Sequence, residues 1–321
     1  MAVSVGVIGL GRWGTNYLRT FAALGADVRM VCSSTEATIA NSLSQVNLKV
    51  NPATTTDYKK VLSDPALDAV AIVTHGSTHY QIAKAALEAG KHVVVEKPAG
   101  FTSHEVEDLV RTAGSSGRIL MVSDIHRFNP GIRRIRDDIK AGVFGRLLFL
   151  RSFGFSNGPV RSDMSVLWDI LPHDISILSG IVGDYPLWLS ANGASYLKQG
   201  IEDIVTLDLM FPEGIFASGT GSWLYPFKRR DVVVVAERMF AAFDDYADKD
   251  RLRYLSREGS GFQPIDVGSV KPLDAQLAHF LECVSEGKQP VNDGREALKI
   301  TRVLEAAQES MLNFGQKVEV A

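Results

Sequence analysis

Short apolar segments alternate with longer amphipathic segments over the first third of the chain. Six apolar runs have the length of a strand, at residues 3–9, 27–32, 47–50, 68–74, 92–96 and 119–123. The segments between them, such as 77–90, repeat apolar residues at helical spacing. This alternation predicts a doubly wound parallel sheet with strand order 3-2-1-4-5-6, in which ligands bind at the carboxyl ends of the strands.

The pattern changes after residue 123. A helical segment at about 130–141 is followed by strand-like runs joined by turn residues, at 146–153, 187–197, 203–211, 215–225, 231–237, 239–245 and 251–256. Amphipathic helices at 274–287 and 295–315 end the chain. We therefore predict an α/β protein with a Rossmann domain at residues 1–123, and an α+β domain at 124–321 with a large, mostly antiparallel open sheet.

Composition limits the class of protein. With 321 residues, 45% hydrophobic and 22% charged, the chain is long enough for two domains. A net charge of -3 without basic clusters argues against nucleic acid or an anionic membrane as partner. The two cysteines, Cys32 and Cys283, do not suggest a disulfide framework. Because we find neither a leader sequence nor an apolar run of about 18 residues, we expect a cytoplasmic protein.

A glycine-rich turn follows the first strand and opens the first helix. Its sequence is Gly9-Leu10-Gly11-Arg12-Trp13-Gly14, the spacing of a dinucleotide-binding turn in the structural context that such a turn requires. Gly9 and Gly11 would allow a tight turn and a close backbone approach. The amide groups at the helix N-terminus would then receive the pyrophosphate. Residues 1–123 are thus predicted to bind NAD or NADP.

The second strand does not end in the acid that commonly binds the ribose 2′-hydroxyl of NAD. The chain has Cys32-Ser33-Ser34-Thr35 at that position. The hydroxyls of Ser33 and Ser34 could bind either a hydroxyl or a phosphate, Arg12 could reach a 2′-phosphate, and Glu36 could hold a ribose. The choice between NAD and NADP is therefore left open.

Two further elements carry residues suited to acid–base chemistry. Glu96-Lys97-Pro98 follows the fifth strand and places a lysine at the sheet edge that carries the glycine turn. In the second domain, Asp169 and His173 are four residues apart, so they would share one face of a helix. Pro172 fits such a helix only in its first turn.

Together these motifs resemble the glucose-fructose oxidoreductase, inositol dehydrogenase and MocA (Gfo/Idh/MocA) family. The resemblance spans nearly the whole chain and includes the glycine turn, the loop 74–79, and the segments 90–98, 127–135 and 166–178. It implies that Lys97 and His173 meet a substrate hydroxyl beside the nicotinamide, with Asp169 nearby. Residues 13–16 and 167–178 look like those of members that oxidise the C3 hydroxyl of nucleotide-linked amino sugars. His75 departs from the family, which commonly has proline there.

Oxidation of an alcohol requires a base near the hydroxyl that loses its proton. Imidazole titrates near neutral pH, whereas a lysine is ordinarily protonated there. We therefore assign the acid–base role to His173 and the polarisation of the oxygen to Lys97, with the reverse division left open.

Other residues are predicted to contact ligands. We expect Trp13, Thr74, His79 and Glu96 to contribute to the cofactor site, together with Lys97. We expect Arg127, Asn129 and Arg161 to contact substrate. Asn129 could instead cap the next helix, and Arg161 could instead be an ordinary loop arginine. The spacing of histidines and cysteines does not predict a metal site.

The resulting hypothesis is an NAD(P)-dependent dehydrogenase acting on a sugar, nucleotide sugar or polyol. Two alternatives remain, a dinucleotide-binding regulator without catalysis and a reductase of another small substrate such as an imine or a linear tetrapyrrole. An open sheet with runs such as residues 232–235 would leave a large apolar face in a monomer, so we expect a homodimer or homotetramer that packs through the second domain.

Overall fold

The computed structural model describes residues 2–320, which form two compact units. The first contains the chain up to Ile125 together with Lys271–Leu298, and the second contains His126–Val270 and the chain from Lys299 onwards. The segment Lys271–Leu298 thus joins the first unit, whereas a single division after residue 123 assigns it to the second domain.

The first unit contains a parallel sheet with the predicted order β3-β2-β1-β4-β5-β6. Its strands are β1 Ser4–Ile8, β2 Asp27–Cys32, β3 Ala53–Thr55, β4 Ala69–Ile72, β5 His92–Val95 and β6 Leu120–Val122. The connecting helices are α1 Arg12–Ala23, α2 Glu36–Ser44, α3 Tyr58–Ser63, α4 Gly76–Glu88 and α5 Ser103–Ser116. Strands β1 and β4 are buried at every position, as expected for a sheet covered on both faces.

The prediction of a strand at residues 47–50 is wrong. Those residues are irregular, and Val50 is 76% exposed. The third strand is Ala53–Thr55, which pairs with Met30–Cys32. Pro52 comes directly before it, where a residue without an N–H group costs no hydrogen bond of the sheet.

The second unit contains an open sheet of nine strands in the order β14-β13-β12-β11-β7-β10-β9-β8-β15. The pairs are antiparallel except for the parallel pair β7 and β10. The strands are β7 Leu147–Asn157, β8 Trp188–Ala194, β9 Ile204–Met210, β10 Phe216–Ser222, β11 Leu224–Ala236, β12 Met239–Asp244, β13 Leu252–Ser256, β14 Gln263–Ile265 and β15 Val318–Glu319. The predicted large, mostly antiparallel sheet is confirmed.

Two strand boundaries differ from the prediction for the same reason. The predicted strand 215–225 ends at Ser222, and β11 begins at Leu224 rather than at residue 231. Between Leu224 and Arg229 the pairing of β11 with β7 shifts register. Pro226 lies within this irregular stretch and is followed by charged residues. Together they interrupt the apolar alternation by which a strand is recognised in the sequence.

The remaining helices are α6 Pro130–Lys140, α7 Val166–Asp169, α8 Leu171–Val182, α9 Pro272–Glu286 and α10 Gly294–Leu312. Short 3₁₀ turns occupy Ile125–Phe128 and Pro212–Gly214. Helix α8 packs on strands β7 and β10 of the open sheet, and α6 packs on β12. None of the helices within residues 2–320 combines the length and the apolar character that a membrane crossing needs.

Candidate dinucleotide and catalytic site

The glycine turn after β1 has a backbone that other residues would disrupt. Gly9 has a φ of +96°, and a Cβ added there would lie 2.4 Å from the carbonyl oxygen of Val73. A Cβ on Gly14 would lie 1.8 Å from the carbonyl oxygen of Gly9. Glycine is therefore required at both positions, by conformation at the first and by close packing at the second.

The N-terminus of α1 suits a pyrophosphate group. Gly11 is the N-cap residue and forms no side-chain cap, and the first turn contains no acidic residue. A Cβ on Gly11 would meet no atom within 4 Å, so an approaching ligand would not be hindered there. Arg12 and Trp13 follow and are exposed. These features fit the phosphates of a dinucleotide, which bind amide groups and the positive end of a helix dipole.

The segment between β2 and α2 carries the residues predicted to contact a ribose or its phosphate. The backbone amide of Ser33 donates to the carbonyl oxygen of Thr55 at 3.3 Å, and Ser33 is buried. Ser34 is exposed, and Thr35 caps α2, of which Glu36 is the first residue. Ser34 is thus more accessible to a ligand than Ser33, with Glu36 in the first turn of the adjacent helix.

Lys97 lies just beyond the carboxyl end of β5, and Thr74 lies just beyond that of β4. Both residues are half-buried, and the hydroxyl oxygens of Thr74 and Thr78 are 2.7 Å apart. Because the strands of this sheet are parallel, Lys97 and Thr74 share the sheet edge that carries the glycine turn. The sequence predicts this placement.

Two of the residues predicted to bind cofactor make hydrogen bonds within the protein. Glu96 Oε1 accepts from Trp13 Nε1 at 2.7 Å and from the hydroxyl of Tyr17 at 2.6 Å. His79 is 2% exposed, with Nδ1 2.8 Å from the carbonyl oxygen of Pro98 and Nε2 3.1 Å from that of Thr74. The His79 ring is thus buried and faces two backbone carbonyl groups, and its contact with the cofactor stays a prediction.

In the second unit, Asp169 and His173 do not share one continuous helix. Asp169 is the last residue of α7, and His173 lies in the first turn of α8, after an interruption at Ile170. Pro172 explains the break, since it lacks an N–H group and is accommodated only in the first turn of a helix. Asp169 and His173 are both half-buried.

His126 is a neighbour of His173 that the sequence reasoning missed. Their ring centroids are 4.7 Å apart, with an angle of 72° between the ring planes. His126 is 7% exposed and belongs to the 3₁₀ turn that precedes α6. Because the two residues are 47 positions apart, no local pattern could have paired them.

The residues predicted to contact substrate differ in their surroundings. Asn129 is buried, accepts from the amide of Gly131 at 2.9 Å and donates to Asp245 Oδ1 at 2.7 Å. It is therefore the cap of α6, the alternative that the sequence also leaves open, and its contact with substrate stays a prediction. Arg127 and Arg161 are half-buried, and Arg161 forms a two-point ion pair with Asp163 at 3.0 and 3.1 Å.

A buried ion pair lies beside His173. Asp174 is 1% exposed, and its Oδ2 atom is 3.2 Å from Nη1 of Arg230 on β11. A Cβ on Gly154 would come within 2.8 Å of that carboxylate oxygen, so a glycine in β7 makes room for the pair. Burial raises the pKa of the Asp174 carboxyl, and the charge of Arg230 opposes the rise. The pair holds the first turn of α8 against the sheet.

Within residues 2–320, no group of three or more His, Cys, Asp or Glu side chains is arranged to hold a metal ion. The fold and the glycine turn define a two-unit protein of the dinucleotide-binding class.

Comparisons with known proteins agree with this class. Residues 3–124 match the oxidoreductase family with an NAD-binding Rossmann fold, and residues 132–240 match the GFO/IDH/MocA C-terminal domain. A solved structure from Magnetospirillum magnetotacticum MS-1, with a provisional oxidoreductase description, is 30% identical with a TM-score of 0.84, covering 96% of this chain and 100% of that one. The chain therefore belongs to the GFO/IDH/MocA family of oxidoreductases, as the sequence motifs predict, and is an NAD(P)-dependent enzyme.

Two curated relatives have named activities. One is scyllo-inositol 2-dehydrogenase (NAD(+)) from Bacillus subtilis (strain 168), 26% identical over 90% of this chain and 88% of the relative. Another is UDP-N-acetylglucosamine 3-dehydrogenase from Acidithiobacillus ferrooxidans, 26% identical over 90% of this chain and 91% of the relative.

Proposed function

We propose that this enzyme transfers a hydride between nicotinamide and the carbon of a secondary hydroxyl group on a sugar, nucleotide sugar or polyol. The position of Lys97 carries the proposal, because it lies at the sheet edge that carries the glycine turn. The two curated relatives, named as dehydrogenases of an inositol and of a nucleotide sugar, support the substrate class. We assign cofactor binding to residues 1–123, and substrate binding and oligomerisation to 124–321.

Three side chains carry out the proposed chemistry. The glycine turn and the N-terminus of α1 would hold the dinucleotide, whose oxidised nicotinamide would supply the hydride acceptor. His173 takes the proton from the substrate hydroxyl, and Lys97 donates a hydrogen bond to that oxygen and orients it. Asp169 assists by orienting the imidazole or the substrate. In the alternative mechanism, Lys97 takes the proton and His173 donates the hydrogen bond to the oxygen. Kinetic measurements on variants of the two residues distinguish the two mechanisms.

Arg161 is the residue we propose for a phosphate of a nucleotide-linked substrate, and Arg127 for the sugar. The hydrogen bonds to Asp163 raise the pKa of Arg161, and the charge of Asp169 adds to that rise. Arg161 therefore lies within electrostatic range of Asp169, in the same unit. A guanidinium group there matches the geometry of a phosphate, to which it can donate two hydrogen bonds.

Turnover with a panel of substrates tests this function. We expect sugars, nucleotide sugars or polyols to reduce NAD+ or NADP+, seen as an increase in the absorbance of the reduced nicotinamide. Each compound is assayed with both cofactors, and binding of each cofactor is measured by calorimetry. A strong preference for NADP+ would support a 2′-phosphate contact by Arg12, whereas a strong preference for NAD+ would exclude it.

The same experiment separates the alternatives. Cofactor binding without turnover of any compound would favour a dinucleotide-binding regulator. Oxidation of reduced cofactor by imine or tetrapyrrole substrates, with none by sugars, would favour a reductase. Mass spectrometry of cofactor that purifies with the protein adds an independent result.

The open face of the nine-stranded sheet supports a second part of the proposal, which is self-association. Seven apolar residues pair in register across seven strands and form a row about 30 Å long, at the usual spacing of strands. We call this the apolar row, and its members, all half-buried, are Leu255, Phe240, Val235, Phe149, Phe216, Met210 and Trp188. We propose that a second copy of this chain covers it.

The next row of side chains supports a second copy as the occupant. This row carries Arg253 of β13 and Arg151 of β7 on one side of strand β10, and Asp208 of β9 on the other side. If two copies pack face to face about a twofold axis parallel to β10, strand β7 of one copy lies opposite strand β9 of the other. Arg151 of one copy then faces Asp208 of the other. The apolar row and its charges are therefore compatible with self-pairing.

Light scattering at micromolar concentration is expected to give the mass of a dimer or tetramer. Phe149→Lys, in the centre of the apolar row, should lower the mass towards that of a monomer because it places a charge in the interface. Val50→Lys, at an exposed position of the first unit, is the control and should not change the mass. A monomeric mass for the unmodified protein would refute self-association.

A further inference from the structure

The residues before and after Lys97, Glu96 and Pro98, both make hydrogen bonds to side chains of helices. Glu96 is bound by residues of α1, and Pro98 faces the imidazole of His79 in α4. We infer that Glu96 and His79 are positioning residues that hold Lys97 in place from both sides. The inference rests on the proposed function, in which Lys97 contacts substrate.

On the side of Glu96, one carboxylate oxygen receives two short hydrogen bonds. The donors are the indole of Trp13 at 2.7 Å and the hydroxyl of Tyr17 at 2.6 Å. The other oxygen of Glu96 accepts from the backbone amide of Lys97 at 3.3 Å. The carboxylate therefore ties the helix that follows the glycine turn to the backbone of Lys97 itself.

Tyr17 continues this network. It is fully buried, and burial, followed by the charge of Glu96, raises its pKa well above the ordinary value, so its hydroxyl stays a donor. Gln276 of α9 donates to this hydroxyl at 3.4 Å and to the hydroxyl of Ser123 at 3.0 Å, and accepts from the amide of Asp124 at 2.7 Å. Glu96 is thus anchored through Tyr17 to the segment after β6.

On the other side, His79 bridges the loops that follow β4 and β5. Burial lowers the pKa of His79, and a neutral imidazole carries a single N–H group. We place that hydrogen on Nδ1, because its 2.8 Å contact with the carbonyl of Pro98 is shorter than the 3.1 Å contact of Nε2 with Thr74. The N–H group then holds the residue directly after Lys97.

These contacts matter because a lysine has a long, flexible side chain. A fixed backbone at residues 96–98 limits the positions that the Lys97 ammonium group can reach, and small displacements of a catalytic group are costly. A shift of about 1 Å can reduce the rate by about 100-fold. We therefore expect the loss of either contact to lower kcat more than it weakens cofactor binding.

The test compares disruptive and conservative variants of each residue. We expect Glu96→Ala and His79→Leu to lower kcat by about 10- to 100-fold, with the dissociation constant of the cofactor changed by less than about threefold. Glu96→Gln retains the acceptor for Trp13 and Tyr17 but loses the acceptor for the Lys97 amide, so it should recover kcat only in part. His79→Gln retains a donor for Pro98 and should recover most of kcat.

Thr20→Val is the matched control. Thr20 also lies on α1 and donates to Asp274 of α9 at 3.0 Å, a hydrogen bond that does not involve residues 96–98. Its loss removes an α1 hydrogen bond of similar length without releasing Lys97. We expect unchanged kcat, and a thermal midpoint lowered by less than in Glu96→Ala, which loses three hydrogen bonds.

Hydrogen exchange gives a readout that does not depend on activity. Amide exchange in the peptide 96–101 should become faster in Glu96→Ala and His79→Leu, and should not change in Thr20→Val. If exchange and kcat are unaffected in the first two variants while Lys97→Ala is inactive, the positioning inference is wrong and the proposed function stands. If Lys97→Ala retains normal activity, the proposed function itself fails.

Discussion

Replacement of His173 by asparagine is expected to lower kcat by about 10²- to 10⁴-fold, the usual contribution of a general acid or base. Lys97→Ala is expected to cause a loss of the same order, because the substrate oxygen loses the group that polarises it. Neither residue belongs to the glycine turn, so the dissociation constant of the cofactor should change far less than kcat. Steady-state kinetics and cofactor titration measure the two effects separately.

A histidine without an assigned role provides the control for this pair. His104 is exposed on α5, and His104→Asn makes the same chemical change away from the site. Its kcat should equal that of the unmodified enzyme. Near-normal turnover in both His173→Asn and Lys97→Ala, with cofactor still bound, would show that the proposed mechanism is wrong. The pH dependence of kcat/KM for each variant then separates their roles, because the limb due to the acid–base residue disappears with that residue.

The second large effect is expected from Arg230→Met. This change leaves the Asp174 carboxylate buried without its counter-ion, which typically costs about 3–5 kcal/mol in the free energy of unfolding. The double variant Asp174→Asn/Arg230→Met removes both charges and should regain most of that loss. Chemical denaturation of each variant, followed by circular dichroism, measures these free energies.

Arg229→Met is the matched control for this prediction. Arg229 is the adjacent residue of β11 and pairs with Asp231 at 2.6 Å, with its side chain 38% exposed. An exposed ion pair contributes about 0–1 kcal/mol, so its loss should be small. Equal losses in Arg229→Met and Arg230→Met would contradict the assignment of a buried pair in which Arg230 neutralises the Asp174 carboxylate.

The effect of Arg230→Met should depend on pH. Burial already raises the pKa of Asp174 in the folded protein, and loss of Arg230 raises it further. A carboxyl whose pKa is raised on folding favours the folded state most at low pH, and this contribution is lost as the pH rises through the folded pKa. The destabilisation should therefore be larger at neutral pH than near pH 4, and this difference should disappear in the double variant.

Much of the fold follows from local patterns along the sequence. Strands such as β1 and β4 are continuous apolar runs because both faces of the parallel sheet are covered, and the helices between them repeat apolar residues at helical spacing. The glycine turn is recognisable from the spacing of Gly9, Gly11 and Gly14 between a strand and a helix, although the Val73 carbonyl that excludes a side chain at Gly9 lies on a distant segment. By contrast, β3, β14 and β15 have only two or three residues each, too few to show a period.

The surroundings of the candidate site were less predictable. Glu96 and His79 were identified from their motifs, but their partners lie at distant positions, such as Tyr17 for Glu96. Likewise, Asp174 and Arg230 are 56 residues apart. No local sequence pattern indicates that the side chain of an arginine within a strand points into the core. Sequence motifs could therefore select residues without distinguishing one that meets a ligand from one that supports a neighbour.

The sequence by itself determined the class of this protein, a two-part α/β oxidoreductase with a dinucleotide turn, because periodicity, turn sterics and motif spacing are properties of neighbouring residues. Only the tertiary structure decided that His79 is buried against two carbonyl groups and that Asn129 caps a helix. The same is true of the break at Ile170 that places Asp169 and His173 on separate helices. These outcomes depend on burial and on hydrogen bonds between distant segments, which are settled only when the chain has packed.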